Sequence, residues 1–371
     1  MLMASIPLMA INPINRQPNA IDGQANAPKP AAPPQSDIDT LIDFGSYKMH
    51  FHIIPGKGIP IVFEAGAGDN ATIWKNIIHP LARMTQAPII TYDRAGLGSS
   101  TIDSNRIGII KGIEDLEKAV RKLQYNDKFL LVAHSFGAFY ATQFAIKAPD
   151  KIVAMIMLDP STPCSYKQGL TGSAPYDTIA KHLVFPSQIP MIDIYAEHPP
   201  FQEKEKIDAW QQCQRNLTQA AANRKLIECK ACGHHVFLDN PALVIDAIVN
   251  EYAQTAVAEK DRTQFLTRAL DESTAVANEL KVAETNFRHS EDDLNGWGYT
   301  LMSEGKLQQA AEVFKLNTEL YPSSSNVWDS YGEALLKLGR KTEAIEMYRK
   351  ALELNPKSEN ARKILKSLKA I

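Results

Sequence analysis

From Lys48 onward the apolar and polar positions fall into two rhythms that take turns. "KMHFHII" (48–54) alternates with period two, the pattern of a half-buried strand. "IPIVFEA" (59–65) and "APIITYD" (87–93) are short apolar runs that end in turn residues. Residues 113–124 then put Ile113, Leu116, Val120 and Leu123 on one helical face. The alternation continues with strand "KFLLVAH", a helix over 136–147 and strand "KIVAMIMLDP". After an irregular insert come strand "IPMIDIYA", a polar helix over 203–222, strand "RKLIECK" and a helix over 241–253. Continuous apolar strands separated by helices predict a mostly parallel sheet covered on both faces. In such a sheet, reactive groups belong at the carboxyl ends of the strands, where the loops open.

Past residue 253 the strand pattern stops. Residues 255–290 are polar with helical character and read as a connector, and a repeat follows. The segment starting at Leu294 matches the one starting at Trp328: Gly298 with Gly332, Leu301 with Leu335, Gly305 with Gly339, Ala310 with Ala344, Phe314 with Tyr348 and Pro322 with Pro356, every pair 34 apart. That period and its Gly/Ala/Pro pattern resemble tetratricopeptide repeats. Small residues let paired helices approach, aromatics fill the gap between them, and the proline stops the second helix. A last amphipathic helix, 359–370, would cover the open end.

Composition narrows the class. The chain has 371 residues, enough for more than one core, and its 44% hydrophobic content describes a globular protein. Forty basic against forty-two acidic residues leave a formal charge of −2, which provides no footprint for nucleic acid or an anionic membrane. No apolar run is long enough to span a bilayer. The opening "MLMASIPLMAIN" has no Lys or Arg before its apolar stretch, so it is either a shortened signal or a disordered start, and the compartment is cytoplasmic or exported accordingly. The Pro/Ala/Asn/Gln-rich segment after it reads as a solvated linker. Four cysteines in so long a chain are not a disulfide scaffold.

The chemistry centres on "AHSFG" (133–137), where Ser135 stands between a strand and a helix with Gly137 two positions on. It resembles the nucleophile elbow of the α/β-hydrolases, G-x-S-x-G, with Ala133 in place of the first glycine. A serine that only caps the helix is the plain alternative. A hydroxyl needs a base, and "CGHHVFLDNP" (232–241) resembles the Gly-His loop that carries it, making His234 the base and His235 its neighbouring rival. "FEAGAGDN" (63–70) lies where the family carries its oxyanion loop. By resemblance the donors are the amides of Ala67 and of Phe136, although Ala65 replaces the usual histidine. The triad acid is Asp159, in "MIMLDPSTP", with Glu197 the alternative, because Pro199 occupies the more usual position. Asp159 before Pro160 also reads as a plain turn cap. Asp93 and Arg94 read as a structural ion pair, Trp74 as core. Cys229 and Cys232, beside His234 and His235, read as two thiols at a strand end or one local disulfide rather than a zinc or haem site.

The expected architecture is therefore α/β: a doubly wound, mostly parallel α/β-hydrolase sheet followed by an all-α repeat domain. Residues 1–40 form a disordered segment and linker, 41–254 the hydrolase with a short lid at 160–188, 255–290 a helical connector, and 291–371 two repeats plus a capping helix. The resemblance implies a serine hydrolase that cleaves a small carboxylic ester through an acyl-enzyme, with no metal or organic cofactor. The alternatives are an amidase or aminopeptidase on the same fold, or a repeat-based interaction protein with a vestigial hydrolase domain. The repeats would serve docking to a protein partner or self-association.

Overall fold

The computed structural model describes residues 36–125, 127–171, 179–280, 291–303, 305 and 307–370. The expected linker up to residue 35, the middle of the expected lid (172–178) and the end of the expected connector (281–290) lie outside the described residues.

Eight strands form one sheet: β1 (Ile38–Asp43), β2 (Lys48–Ile54), β3 (Ile61–Glu64), β4 (Ile89–Tyr92), β5 (Phe129–His134), β6 (Ile152–Leu158), β7 (Met191–His198) and β8 (Arg224–Gly233). Their order is β1-β2-β4-β3-β5-β6-β7-β8. The pairs β1–β2 and β2–β4 are antiparallel and the rest parallel. Strand β1 is the element the sequence pattern does not announce. Only Ile42 of its six residues is buried, so an edge strand with little to hide leaves no alternation to read.

The helices are α1 (Ile78–Thr85), α2 (Ile109–Lys122), α3 (Gly137–Lys147), α4 (Pro163–Lys167), α5 (Lys204–Gln219), α6 (Val236–Asp239) and α7 (Pro241–Thr255). Successive strand residues point to opposite faces. Leu130, Val132, Ile156 and Leu158 therefore pack with residues of α1 and α7, whereas Phe129, Leu131, Met155 and Met157 pack with α2 and α3. In the lid segment, Ala180, Leu183 and Phe185 are buried in that second core. A disulfide joins Cys164 on α4 to Cys213 on α5 across 49 residues, a closure that stabilises by about 4 kcal/mol in the chain-entropy description. The second bridge, Cys229–Cys232, is local to β8.

Helix α8 (Glu259–Leu280) lies against the hydrolase sheet's own helices. Tyr252 of α7 stacks on its Phe265 at 5.7 Å, and Arg268 reaches the carbonyl of Thr85 at 3.3 Å. Then come α9 (Glu291–Ser303), α10 (Leu307–Leu320), α11 (Ser325–Lys337), α12 (Lys341–Leu354) and α13 (Glu359–Ser367). The repeat's spacing has a direct steric meaning. A Cβ on Gly298 would stand 2.5 Å from the Phe314 ring, and one on Gly332 would stand 3.0 Å from Tyr348. Each glycine is thus the notch that its own repeat's aromatic ring fills. One apolar core continues from Phe63 and Ile156 through Phe265 and Val276 to Leu301 and Phe314.

Candidate active site

Three side chains from three strand ends converge. Ser135 follows β5, Asp159 follows β6 and His234 follows β8. His234 Nε2 lies 2.8 Å from Ser135 Oγ, and His234 Nδ1 lies 2.6 Å from Asp159 Oδ2. A carboxylate only accepts, so Nδ1 carries the hydrogen and Nε2 presents its lone pair to the serine hydroxyl.

Local geometry explains how Ser135 is held. Its φ is +50°, in the left-handed region that a side chain occupies at a cost of order 1–3 kcal/mol. The turn is pinned on both sides: Ser135 N–H donates to Leu158 O at 3.1 Å, and Ser135 O accepts from Ser161 N at 2.9 Å. The small neighbours have measurable reasons. Any Cβ at Gly137 would come within 2.5 Å of the carbonyl oxygens of Glu64 and Ala65, because α3 starts against the end of β3. Ala133, at the other flank, is completely buried between its neighbouring strands.

Asp159 is fully buried and its second oxygen is occupied. Oδ1 accepts from Trp210 Nε1 at 2.8 Å and from Ala196 N at 3.1 Å. Trp210 comes from α5, which also sends Gln214 Nε2 to Pro160 O at 2.9 Å. Glu197 turns elsewhere and accepts from Ala231 N at 2.7 Å. His235 Nε2 lies 4.0 Å from Asp69 Oδ2, and among the described residues the histidine bonded to Ser135 Oγ is His234. Trp74 is fully buried against Phe63 and Phe237, a core residue.

The loop after β3 is braced by a partner that neighbouring sequence positions do not suggest. Arg94 does not pair with Asp93. Its guanidinium pairs with buried Glu64 at 2.5 Å and donates to Ala65 O at 2.6 Å and Gly66 O at 2.5 Å. Asp93 instead accepts from the amides of Ala71 and Ser99, each at 2.7 Å, and faces His50 Nδ1 at 3.0 Å. Burial raises the Glu64 carboxyl above its usual range, and Arg94 opposes that shift. In a trans peptide the C=O and N–H point opposite ways, so holding Gly66 O on Arg94 turns the Ala67 N–H away from the guanidinium. Among the described residues neither the Ala67 nor the Phe136 amide has an acceptor.

Two buried groups escaped the sequence reading. His134, immediately before Ser135, is held neutral by burial, which pushes it down to about 4. Its position in the motif was a signal, but its contacts were not legible. Asp193, in the middle of β7, has neither oxygen partnered among the described residues. Burial and the charge of Asp159 raise it well above the usual carboxylate range.

Residues 59–171 match the family model of the alpha/beta hydrolase fold, and residues 325–358 match that of the tetratricopeptide repeat. With the mostly parallel eight-stranded sheet, this makes the fold an α/β-hydrolase followed by a tetratricopeptide-repeat helical region, as the sequence pattern led one to expect. Among curated proteins, the chain is 32% identical over 105 residues to the uncharacterized protein YqjL of Bacillus subtilis, covering 28% of this chain and 41% of that one. It is 28% identical over 109 residues to the putative carbamate hydrolase RutD of Azorhizobium caulinodans, covering 29% of this chain and 40% of that one. A longer match, 21% identical over 272 residues, is to the uncharacterized protein YbdG of Bacillus subtilis and covers 69% and 82% of the two chains. The chain thus spans about two fifths of the length of YqjL and RutD. The solved structure of MGS-M2, an alpha/beta hydrolase enzyme from a deep-sea metagenome library, aligns with a TM-score of 0.48 at 15% identity, covering 59% of this chain and 99% of that one. Among the described residues no helix is long and apolar enough to cross a membrane.

Proposed function

We propose that the protein is a serine hydrolase acting on small carboxylic esters by acyl transfer. The observation that carries the reading is the hydrogen-bonded series Ser135–His234–Asp159, at 2.8 and 2.6 Å. Ser135 Oγ attacks the ester carbonyl carbon while His234 Nε2 takes its proton. Asp159 holds the imidazole in the required tautomer and stabilises the imidazolium. The oxyanion is received by the amides of Ala67 and Phe136, the latter at the start of α3, where the helix dipole also favours negative charge. The imidazolium then protonates the leaving alkoxide, and a water deprotonated by His234 releases the acid and frees Ser135. The match to the hydrolase family model, and relatives that include a putative carbamate hydrolase, support the same class of chemistry. The repeats are read as a module for docking a protein partner or a second copy of the chain, in line with the repeat match at 325–358.

A fluorophosphonate probe tests the reading without knowledge of the natural ester. One probe per chain should attach, and tryptic mapping should find it on Ser135. Labelling elsewhere, or none, counts against acyl transfer at this site.

Arg94 offers a second test. In Arg94→Met, the Gly66 carbonyl is released and the Ala67 amide loses its fixed direction, so kcat should fall by about 10²–10³, the effect of losing one oxyanion donor. Glu64 is also left buried without its cation, which costs about 3–5 kcal/mol of stability. Adding Glu64→Gln should restore much of the Tm and none of the rate; recovery of both would mean that Arg94 acts on stability alone.

A further inference from the structure

We propose that Asp69, His134 and His235 form a binding site for a divalent transition-metal ion of the zinc class, and that the bound ion inhibits the neighbouring Ser135–His234 pair. Among the described residues these three make up the one cluster of potential metal ligands, their ligand atoms all within 4.8 Å of one another. His134 Nδ1 is 3.8 Å from Asp69 Oδ2, and His235 Nε2 is 4.0 Å from the same oxygen.

The reason to expect a cation lies in the orientation of His134. Its Nε2 is 3.1 Å from the backbone oxygen of His234. A carbonyl can only accept, so Nε2 carries the hydrogen and the neutral ring turns a bare Nδ1 lone pair toward Asp69. That nitrogen is buried and has no hydrogen-bond partner among the described residues, on a side chain only 1% exposed. At 3.8 Å its separation from the carboxylate is too long for a hydrogen bond. Two acceptors therefore face each other without a proton between them, an arrangement that a cation resolves. Metal-binding histidines characteristically donate their other N–H to a backbone carbonyl or carboxylate, as His134 does here.

Space and ligand type agree. A Cβ at position 66 would lie 2.7 Å from Asp69 Oδ2 and 2.8 Å from His134 Nδ1, so the gap between these two ligands stays open only because residue 66 is glycine. Two imidazoles and a carboxylate suit zinc, with bonds of about 2.1 Å and a fourth position left for water. Tetrahedral bonds of that length set ligand atoms about 3.4 Å apart, so the widest pair, within 4.8 Å, must close by about 1.4 Å at most. The side chains of Asp69 and His235 are 30% and 43% exposed and can move, whereas His134 is the fixed anchor. The other histidine-rich pocket, near His52 and His79, is a poorer candidate, since both rings already face Asp37, at 3.0 and 3.4 Å.

The inhibitory effect rests on the proposed acyl-transfer reading; the binding does not. His235 is the residue next to His234, whose ring lies 4.7 Å from His134 and whose Nε2 lies 2.8 Å from Ser135 Oγ, so drawing His235 onto an ion anchored at His134 pulls His234 out of line with the serine.

The test uses the full chain, stripped with a chelator and titrated with ZnCl2 by calorimetry, with Co2+ absorption as a second readout of ligand geometry. One equivalent should bind. Asp69→Asn and His235→Ala should each weaken binding by at least about 10–100-fold, the loss caused even by outer partners of a metal, while His79→Ala should bind as the parent does. No saturable equivalent, or an affinity unmoved in both ligand variants, would overturn the site. With zinc bound, fluorophosphonate labelling of the parent should slow by at least about 10-fold, and Asp69→Asn at the same zinc concentration should not slow. Equal slowing in both would overturn the inhibitory role. If Ser135 does not label even without zinc, the acyl-transfer reading fails while the calorimetry still judges the metal site.

Discussion

Ser135→Ala should lower kcat for p-nitrophenyl acetate by about 10⁶-fold while leaving the fold intact. The size follows from the geometry. Ser135 Oγ is the atom 2.8 Å from the His234 Nε2 lone pair, and alanine leaves that base with no nucleophile to activate. The residual rate should reflect only binding and oxyanion stabilisation. Alanine keeps the strained φ of +50°, and the backbone bonds to Leu158 and Ser161 are untouched, so the Tm should change by no more than a few degrees. Turnover equal to the parent's would end the acyl-enzyme proposal; a collapsed Tm would call for Ser135→Cys as the cleaner probe.

Asp159→Asn should cost about 10⁴ in kcat, and here the structure dictates the reason. Asp159 Oδ1 is held by two donors, Trp210 Nε1–H and the Ala196 N–H. An asparagine must therefore put its carbonyl oxygen on that side and aim its NH2 at His234 Nδ1. The imidazole is then forced into the opposite tautomer, with hydrogen on Nε2, and can no longer accept the serine proton. Glu197→Gln should change kcat by less than about 3-fold, because a glutamine oxygen still accepts from Ala231 and no reacting group loses a contact. Measuring kcat for both variants on one ester decides between the two acids. Equal losses, or no loss in Asp159→Asn, would remove Asp159 from the mechanism.

Much of the molecule was legible before any coordinates. Parallel strands are buried along nearly their whole length because both faces are covered, so their sequences are mostly apolar, and β3 to β7 show it. The repeat was readable because Gly298 and Gly332 must each admit a ring from the same repeat, a constraint that recurs every 34 residues. Where the reading fell short, the pattern carried no local signal. Exposed β1 hides almost nothing. The Cys164–Cys213 bridge joins residues with an undescribed lid segment and a strand between them. Arg94 pairs with Glu64, 30 residues away, rather than with the adjacent Asp93.

The site divides along the same line. Ser135 and Gly137 were identifiable because a sharp strand-to-helix turn imposes size limits on adjacent residues, and adjacency is what a sequence records. The choice between Asp159 and Glu197 beside His234 depends on how β6, β7 and β8 are registered and on where α5 brings Trp210. The facing of His134 Nδ1 and Asp69 depends on the loop after β3 meeting the end of strand β5. The sequence by itself determined the elements, their alternation and the residue types at each bend, because these are short-range demands of backbone geometry and burial. Only the tertiary structure decided which distant polar atoms face one another, since a hydrogen bond is settled over a few tenths of an ångström and no pattern along the chain specifies position that finely.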